Sequence, residues 1–386
     1  MNFKKTILFI HRWLGFISGL VVVIVSITGC IFCFQDEIQD AIHSYRKVEV
    51  QAKPYLSPSV IKSIALKDHP GAKVNYIYYY GTDRPAVAIA NLGKAGFFDI
   101  YINPYDGKVL HTESALKNFF TIVEYIHLYL LLPAKIGTLV VGISVIIFLV
   151  LMITGIILWW PKRKSDRKRS FTIKWNGRWR RVNYDLHNVL GFYVTSIAVI
   201  LALSGLSIAF DWMTNSIYNV ANLGKTYPQE KIIPKSDTLN YTESSISAID
   251  KTFVIAQQKS PQAEMFLIYE PATKAEPVGV TAYAQSLHFY KSDQYYFDSG
   301  TGKLLSVLSQ NQKSAGLKMN EMNYDIHVGQ ILGLPGKIIA FWASLLCGSL
   351  PVTGFIIWLG KRKKKSKPQK IKAVVHHRTH ARLASN

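Results

Sequence analysis

The chain has 386 residues, of which 49% are hydrophobic, and its formal net charge is +21. A chain of this length would ordinarily fold as two or three soluble domains, and so positive a charge would favour nucleic-acid binding. Neither interpretation fits, because the basic residues flank long apolar runs instead of interleaving with aromatic and polar groups on a folded domain. We therefore expect no nucleic-acid partner.

Four uncharged apolar runs are each long enough to cross a bilayer, which takes about 20 residues. The four runs are Trp13–Phe34, Ile136–Trp160, Leu190–Phe210 and Ile338–Gly360. They predict a multi-pass α-helical membrane protein whose first partner is the lipid bilayer.

The excess positive charge is concentrated in two segments next to these runs. Residues 161–182 carry a net charge of +9 and residues 361–386 carry +10, whereas 35–135 and 183–337 are close to neutral. Basic residues accumulate on the cytoplasmic side of membrane proteins. The distribution predicts that both termini and the 161–182 loop are cytoplasmic and that residues 35–135 and 213–335 lie outside.

The predicted organisation alternates spans with two outer domains. In chain order we expect the N-terminus and first span at 1–34, an outer domain at 35–133, the second span at 134–160, a basic cytoplasmic loop at 161–183, the third span at 184–212, a second outer domain at 213–334, the fourth span at 335–360 and a basic cytoplasmic tail at 361–386.

Both outer segments have the pattern of small α+β domains. A helix-like stretch comes first in each, near Ser57–Lys67 and Thr242–Gln257. Alternation of apolar and polar residues then predicts strands. The predicted strands are Ala72–Tyr80, Ala86–Asn91, Gly96–Ile102, Glu264–Glu270, Pro277–Ala284 and Gln294–Phe297.

The two halves of the chain resemble each other, which indicates an internal duplication. The matching stretches are His11-Arg-Trp-Leu-Gly15-Phe16 with His187-Asn-Val-Leu-Gly191-Phe192, Gly29 with Gly205, Ile126-His127 with Ile326-His327, and Thr154-Gly155 with Thr353-Gly354. Each half is therefore predicted to consist of a span, an outer domain and a second span.

Four histidines occupy matching places in this duplication, two at each membrane face. His11 and His187 begin the first and third spans on the inner side, and His127 and His327 precede the second and fourth spans on the outer side. Haem iron takes axial ligands on both faces of a flat ring, and two imidazoles from different helices can supply them. The pattern predicts one haem per histidine pair.

Three arginines add to this hypothesis, and two alternative roles for the histidines stand beside it. Arg12, Arg180 and Arg181 are candidates to bind haem propionates on the inner face. A histidine at a membrane interface is often only a headgroup contact, and metal-ion transport is the main functional alternative. Ion transport favours carboxylates inside the spans, and the four apolar runs contain no Asp or Glu.

The outer histidines precede their spans by several residues, so a continuous helix through a histidine and its span would be unusually long. An unbroken helix from His127 to Trp160 would be about 50 Å long, more than a bilayer needs. Pro133 and Pro335 are predicted places for these helices to break or bend.

These residues resemble the PepSY-associated transmembrane family, which includes iron-regulated bacterial inner-membrane proteins and ferric-siderophore reductases. The resemblance is carried by His11-Arg-Trp-Leu-Gly15, Ile126-His127, Leu186-His187-Asn-Val-Leu-Gly191-Phe192, Ile326-His327 through Gly336, and the outer stretches Phe98–Leu110 and Tyr296–Leu305. It covers roughly residues 6–365 and implies two periplasmic PepSY-like domains.

The resemblance implies a b-type haem protein of the bacterial inner membrane, with two haems. His11, His127, His187 and His327 become the axial ligands. Electrons would pass to periplasmic ferric-siderophore iron from an external cytoplasmic-side donor, because the 22-residue loop and the 26-residue tail are too short for a flavin or nicotinamide domain. The alternative is a membrane-anchored PepSY binding module that inhibits or chaperones a periplasmic peptidase.

Overall fold

The computed structural model describes residues 3–67, 69–238 and 247–365. Twelve α-helices lie in these ranges: α1 Phe3–Phe32, α2 Gln35–Ile42, α3 Pro58–Lys67, α4 Phe119–Tyr129, α5 Ala134–Trp159, α6 Arg167–Ser170, α7 Trp179–Asp185, α8 Gly191–Ala209, α9 Asp211–Ala221, α10 Ala248–Lys259, α11 Ala315–His327 and α12 Gly333–Lys365. The start of the helix predicted at Thr242–Gln257 and most of the basic tail lie outside the described residues.

Four helices are long and apolar enough to cross a membrane, so the four predicted spans are confirmed as helices. They are α1, α5, α12 and the continuous helix Trp179–Ala209, in which a π-helical segment, Leu186–Leu190, joins α7 to α8. All four pack on one another around a buried apolar layer. They form a four-helix bundle whose outward surface is apolar, as a lipid-facing surface must be.

Eight strands form a single antiparallel sheet. They are β1 Lys73–Tyr79, β2 Ala86–Asn91, β3 Phe97–Ile102, β4 Val109–Ser114, β5 Met265–Tyr269, β6 Val278–Tyr283, β7 Ser292–Phe297 and β8 Leu304–Leu308. The strand order is β4-β3-β2-β1-β5-β6-β7-β8. The six strands predicted from alternation all exist, with ends that differ by no more than two residues.

The two outer segments meet at the centre of this sheet. Strand β1 pairs with β5, placing Ile77 opposite Ile268 and Tyr78 opposite Leu267. Both isoleucines are almost fully buried, and helices α3 and α10 cover the same sheet face. The four strands of each segment therefore share one hydrophobic core, a union that the sequence pattern does not predict.

Helices α4 and α11 connect the sheet to the bundle, and each ends at a turn that leads into a spanning helix. After α4, Leu130 and Leu131 adopt positive φ, and α5 begins directly after Pro133. After α11, Gly329 has positive φ and a 3-10 turn leads into α12. The predicted break before Pro133 is confirmed, and the second break falls a few residues before Pro335.

Candidate functional site

The structure brings the four sequence-predicted histidines together in two pairs. The ring centres of His11 and His187 lie 6.4 Å apart with an angle of 87° between the ring planes. The ring centres of His127 and His327 lie 6.0 Å apart with an angle of 69°. These are the pairs expected from the sequence, and we refer to them as the loop-side pair and the sheet-side pair.

Both members of the loop-side pair lie on membrane-spanning helices. His11 belongs to the regular helix α1, whereas His187 lies in the π-helical segment before α8. A π-helical turn inserts one extra residue, changes the direction of the side chains that follow, and often occurs at functional sites. The extra residue is the local feature that distinguishes the backbone at His187 from that at His11.

Both members of the sheet-side pair lie near the ends of short helices that descend from the sheet. His127 is in the last turn of α4 and His327 is the last residue of α11. Helix α4 packs against α1, and α11 packs against α8. Each helix ends at a turn, and both histidines lie at the sheet-side end of the bundle.

Each histidine contacts a hydroxyl group on a different helix through its Nδ1 atom. Four dipeptides supply these hydroxyls, and each consists of Ser or Thr followed by Gly. The Nδ1-to-hydroxyl distances are 2.8 Å from His11 to Thr154, 2.9 Å from His187 to Thr353, 3.1 Å from His127 to Thr28 and 3.1 Å from His327 to Ser204.

The glycine of each dipeptide lies against the same imidazole ring. A Cβ atom added at Gly205 would lie 2.8 Å from Cε1 of His327, and one at Gly155 would lie 3.5 Å from Cε1 of His11. The sequence comparison matched Thr154-Gly155 with Thr353-Gly354, and Gly29 with Gly205, but did not link these positions to the histidines. Their matching places in the two halves were the available signal.

The two pairs lie at opposite ends of the bundle. On α1, His11 and Thr28 are 17 residues apart, and on the third span His187 and Ser204 are also 17 residues apart. At 1.5 Å per residue this interval corresponds to about 25 Å. Between the two levels lies the buried apolar layer, which includes Val22, Phe148 and Leu350.

The three arginines proposed for propionates lie at the loop-side end of the bundle. Arg12 is exposed, and its guanidinium lies 5.8 Å from the ring centre of Phe9. Arg180 lies beside Gly360. Arg181 donates a 2.7 Å hydrogen bond to the buried carboxylate of Asp185 and so already has an anionic partner. Their role towards a propionate stays a prediction.

A cavity of about 210 Å³ lies between the sheet and the sheet-side pair. Glu124 and Tyr324 line it, and they precede His127 and His327 by three residues on their helices. Three residues of α-helix correspond to about 4.5 Å. The cavity therefore lies about one helical turn from the two histidines.

The cavity is polar, and its charges are only partly paired. Arg46 donates to Asp36 and Asp40, and Arg84 donates to Asp40. Asp99 and Glu124 have no ion-pair partner within the described residues. Burial, followed by the negative charge of Glu113, raises the pKa of Asp99 to about 6, and burial also raises the pKa of Glu124.

Burial favours the neutral form of both sheet-side histidines. Burial lowers the pKa of His327, and burial together with the nearby His327 lowers the pKa of His127 to about 4. Metal binding by histidine uses the neutral imidazole. The form that burial favours in this pair is therefore the form that coordinates a metal.

The geometry limits the kind of group that either pair could hold. Among the described residues, no three His, Cys, Asp or Glu side chains are grouped to hold a bare metal ion. Two imidazoles at about 2 Å from one metal have ring centres roughly 6 Å apart. The pairs fit a metal whose remaining ligands come from a macrocycle, as in bis-histidine haem.

One comparison with known proteins supports the resemblance seen in the sequence. The model of the PepSY-associated transmembrane region matches residues 8–361, a range that takes in all four histidines and nearly the whole chain. A comparison with curated proteins returned no match. With its four spanning helices and its eight-stranded sheet, this membrane protein belongs to the PepSY-associated transmembrane family.

Proposed function

We propose that the protein is an inner-membrane b-type haem oxidoreductase that passes electrons from the cytoplasmic side to periplasmic ferric-siderophore iron. The observation that carries the proposal is the pairing of four histidines, with ring centres 6.4 and 6.0 Å apart, at the two ends of one bundle. His11 and His187 would hold one haem, and His127 and His327 the other.

Haem bound at these sites would supply a one-electron ferric/ferrous couple. The chain itself holds and orients the ligands, and the apolar layer around Val22 and Phe148 excludes water between the two levels. The proposed direction follows the charge distribution, which predicts that the basic loop and tail are cytoplasmic. The sheet is then periplasmic, and the cavity beside Glu124 and Tyr324 becomes the approach for an external electron acceptor.

The proposed substrate class is a ferric siderophore bound through hard oxygen ligands. One electron from the protein converts its Fe(III) to Fe(II), which such ligands hold less tightly, so that iron can be released. Each electron must come from a separate cytoplasmic-side donor. The described sheet is not a dinucleotide-binding sheet that could supply electrons itself, because all its strand pairs are antiparallel, whereas the strands of such a domain are parallel.

The decisive experiment is a visible spectrum of the purified protein, with a haem assay and protein quantification. We expect a sharp low-spin spectrum after reduction and about two haems per chain, extractable by acidified solvent because b-type haem is not covalently attached. Reduction of a ferric trihydroxamate, followed with a ferrous-iron indicator in oriented vesicles, then tests the activity. Folded protein that stays colourless after haem supplementation would contradict the proposal and favour the PepSY binding module.

A further inference from the structure

One arrangement recurs at all four histidines and goes beyond their pairing. Each imidazole contacts a dipeptide on another helix that consists of a hydroxyl residue followed by glycine. The dipeptides are Thr28-Gly29 for His127, Thr154-Gly155 for His11, Ser204-Gly205 for His327 and Thr353-Gly354 for His187. All four spanning helices contribute one dipeptide. Packing alone would not require a hydroxyl at every position.

The direction of these hydrogen bonds follows from the single proton of each hydroxyl. Every hydroxyl donates to the carbonyl four residues earlier in its own helix, at 2.8–2.9 Å. A hydroxyl that has donated its proton can only accept from another group. Each Nδ1 atom must therefore carry a hydrogen and donate it to the Ser or Thr oxygen.

Backbone carbonyls give the same result independently. Nδ1 of His327 lies 2.9 Å from the carbonyl oxygen of Leu201, and a carbonyl oxygen can only accept. His127 and His187 make the corresponding contacts with the carbonyls of Val25 and Leu350. Each of these carbonyls belongs to the residue three positions before the hydroxyl.

We infer that Thr28, Thr154, Ser204 and Thr353 are positioning residues that hold all four histidines in the Nδ1–H tautomer. In this tautomer the lone pair is on Nε2, which is the atom left free to bind iron. A hydrogen bond from Nδ1–H also makes the imidazole a stronger donor to a metal, and such partners of metal-bound histidines fix ring orientation. This inference rests on the proposed haem function.

The test compares removal of a hydroxyl with its retention. Thr154→Val and Thr353→Val remove the acceptors of the loop-side pair, and Thr154→Ser and Thr353→Ser keep them. Thr195→Val is the matched control, because Thr195 donates to the carbonyl four residues earlier in a spanning helix and contacts no histidine. The sheet-side haem serves as an internal control for folding.

We expect each Val variant to release the loop-side haem about 10- to 100-fold faster in transfer to an apo-haem protein, the usual effect of losing such a partner. If the loss affects mainly the ferric state, a tenfold change raises the midpoint potential of that haem by about 59 mV. The low-spin electron paramagnetic resonance signal of that haem should also shift. The Ser variants and Thr195→Val should match the wild type in all three measurements.

A measurement without haem gives a second test. In apoprotein labelled with ¹⁵N-histidine, the chemical shifts should report hydrogen on Nδ1 in the four paired histidines, and Thr154→Val should change this only for His11. Wild-type apoprotein with hydrogen on Nε2 in these histidines would overturn the inference.

The outcomes separate the two proposals. Wild-type protein that binds no haem would overturn both the haem function and the role of the hydroxyls towards it. Wild-type protein that binds two haems, with Val variants indistinguishable from Thr195→Val, would overturn the inference alone. Ser variants that behave like the Val variants would also overturn it, since the hydroxyl would then not be the relevant group.

Discussion

The two histidine pairs have nearly equal spacing but are built by different kinds of element. At the loop side, His11 and His187 belong to the spanning helices themselves. At the sheet side, His127 and His327 belong to short helices that lead from the sheet and end at a turn. The loop-side pair thus depends on the bundle alone, whereas the sheet-side pair also depends on the fold outside the membrane.

The strongest test of this comparison removes one histidine from each pair. His327→Ala should eliminate the sheet-side haem and reduction of an external ferric chelate, because one axial ligand is lost. His187→Ala should eliminate the loop-side haem and leave a sheet-side haem that the cytoplasmic donor no longer reaches. Haem content and chelate reduction in oriented vesicles measure both effects.

His43→Ala is the control for these variants, because His43 lies outside both pairs and stacks on Tyr45. It should retain about two haems per chain. If His327→Ala and His187→Ala lost the same haem, the assignment of one haem to each pair would be wrong.

The next largest effect should come from the glycine that contacts His327. In Gly205→Ala the new methyl group would lie 2.8 Å from Cε1 of His327, so that the ring must shift. Overpacking of this kind costs about 1–3 kcal/mol, which corresponds to a loss of sheet-side haem affinity of about tenfold or more. Gly155→Ala places the methyl at an ordinary contact distance of 3.5 Å and should leave loop-side affinity unchanged. Equal losses in a haem titration of the two variants would contradict the contact argument.

A weaker perturbation addresses the dependence of the sheet-side pair on the sheet. Ile268 is 1% exposed at the junction of β5 with β1, and Ile268→Ala should reduce the stability of the sheet by about 2–4 kcal/mol. Hydrogen exchange should then increase in α4 and α11 but not around His11. Val254→Ala, at a half-exposed site on α10, is the control. Increased exchange at His11 as well would show that the two ends of the bundle are not independent.

The smallest expected effect concerns the cavity. The pKa of Asp99 is raised to about 6 by burial and the charge of Glu113, so the folded protein binds this proton more tightly than the unfolded chain. The stability contribution of Asp99 therefore falls as pH rises from about 4 to about 6. Asp99→Asn should stabilise the protein by up to about 2 kcal/mol at pH 7.5 and have no effect near pH 4.

Thermal unfolding at the two pH values measures this difference, and Asp106→Asn, at an exposed turn, is the control. Stabilisation of the Asp99 variant that is equal at both pH values would show that ionisation of the carboxyl is not its cause.

Local patterns in the sequence were sufficient for the spans, for six of the eight described strands and for the grouping of four histidines into two pairs. Apolar length and strand alternation are local signals, and the matching positions of His127 and His327 showed that they belong together. The pairing of β1 with β5 could not be predicted, because it joins residues nearly 200 positions apart through backbone hydrogen bonds that leave no pattern in either strand. The four hydroxyls were missed because a Ser or Thr bonded to its own helix is common in membranes, and its partner histidine lies far away in sequence.

The shared 17-residue interval sets the distance between the two sites independently of the surrounding lipid. On α1 it separates His11 from Thr28, and on the third span it separates His187 from Ser204. Bilayers differ in thickness, and a helix bundle adapts mainly by tilting. Tilting changes the depth of each site in the membrane but leaves their separation at about 25 Å, because that distance is fixed by helical rise. In the proposed electron path, the gap between the two sites is thus determined by the covalent chain and not by the membrane in which the protein resides.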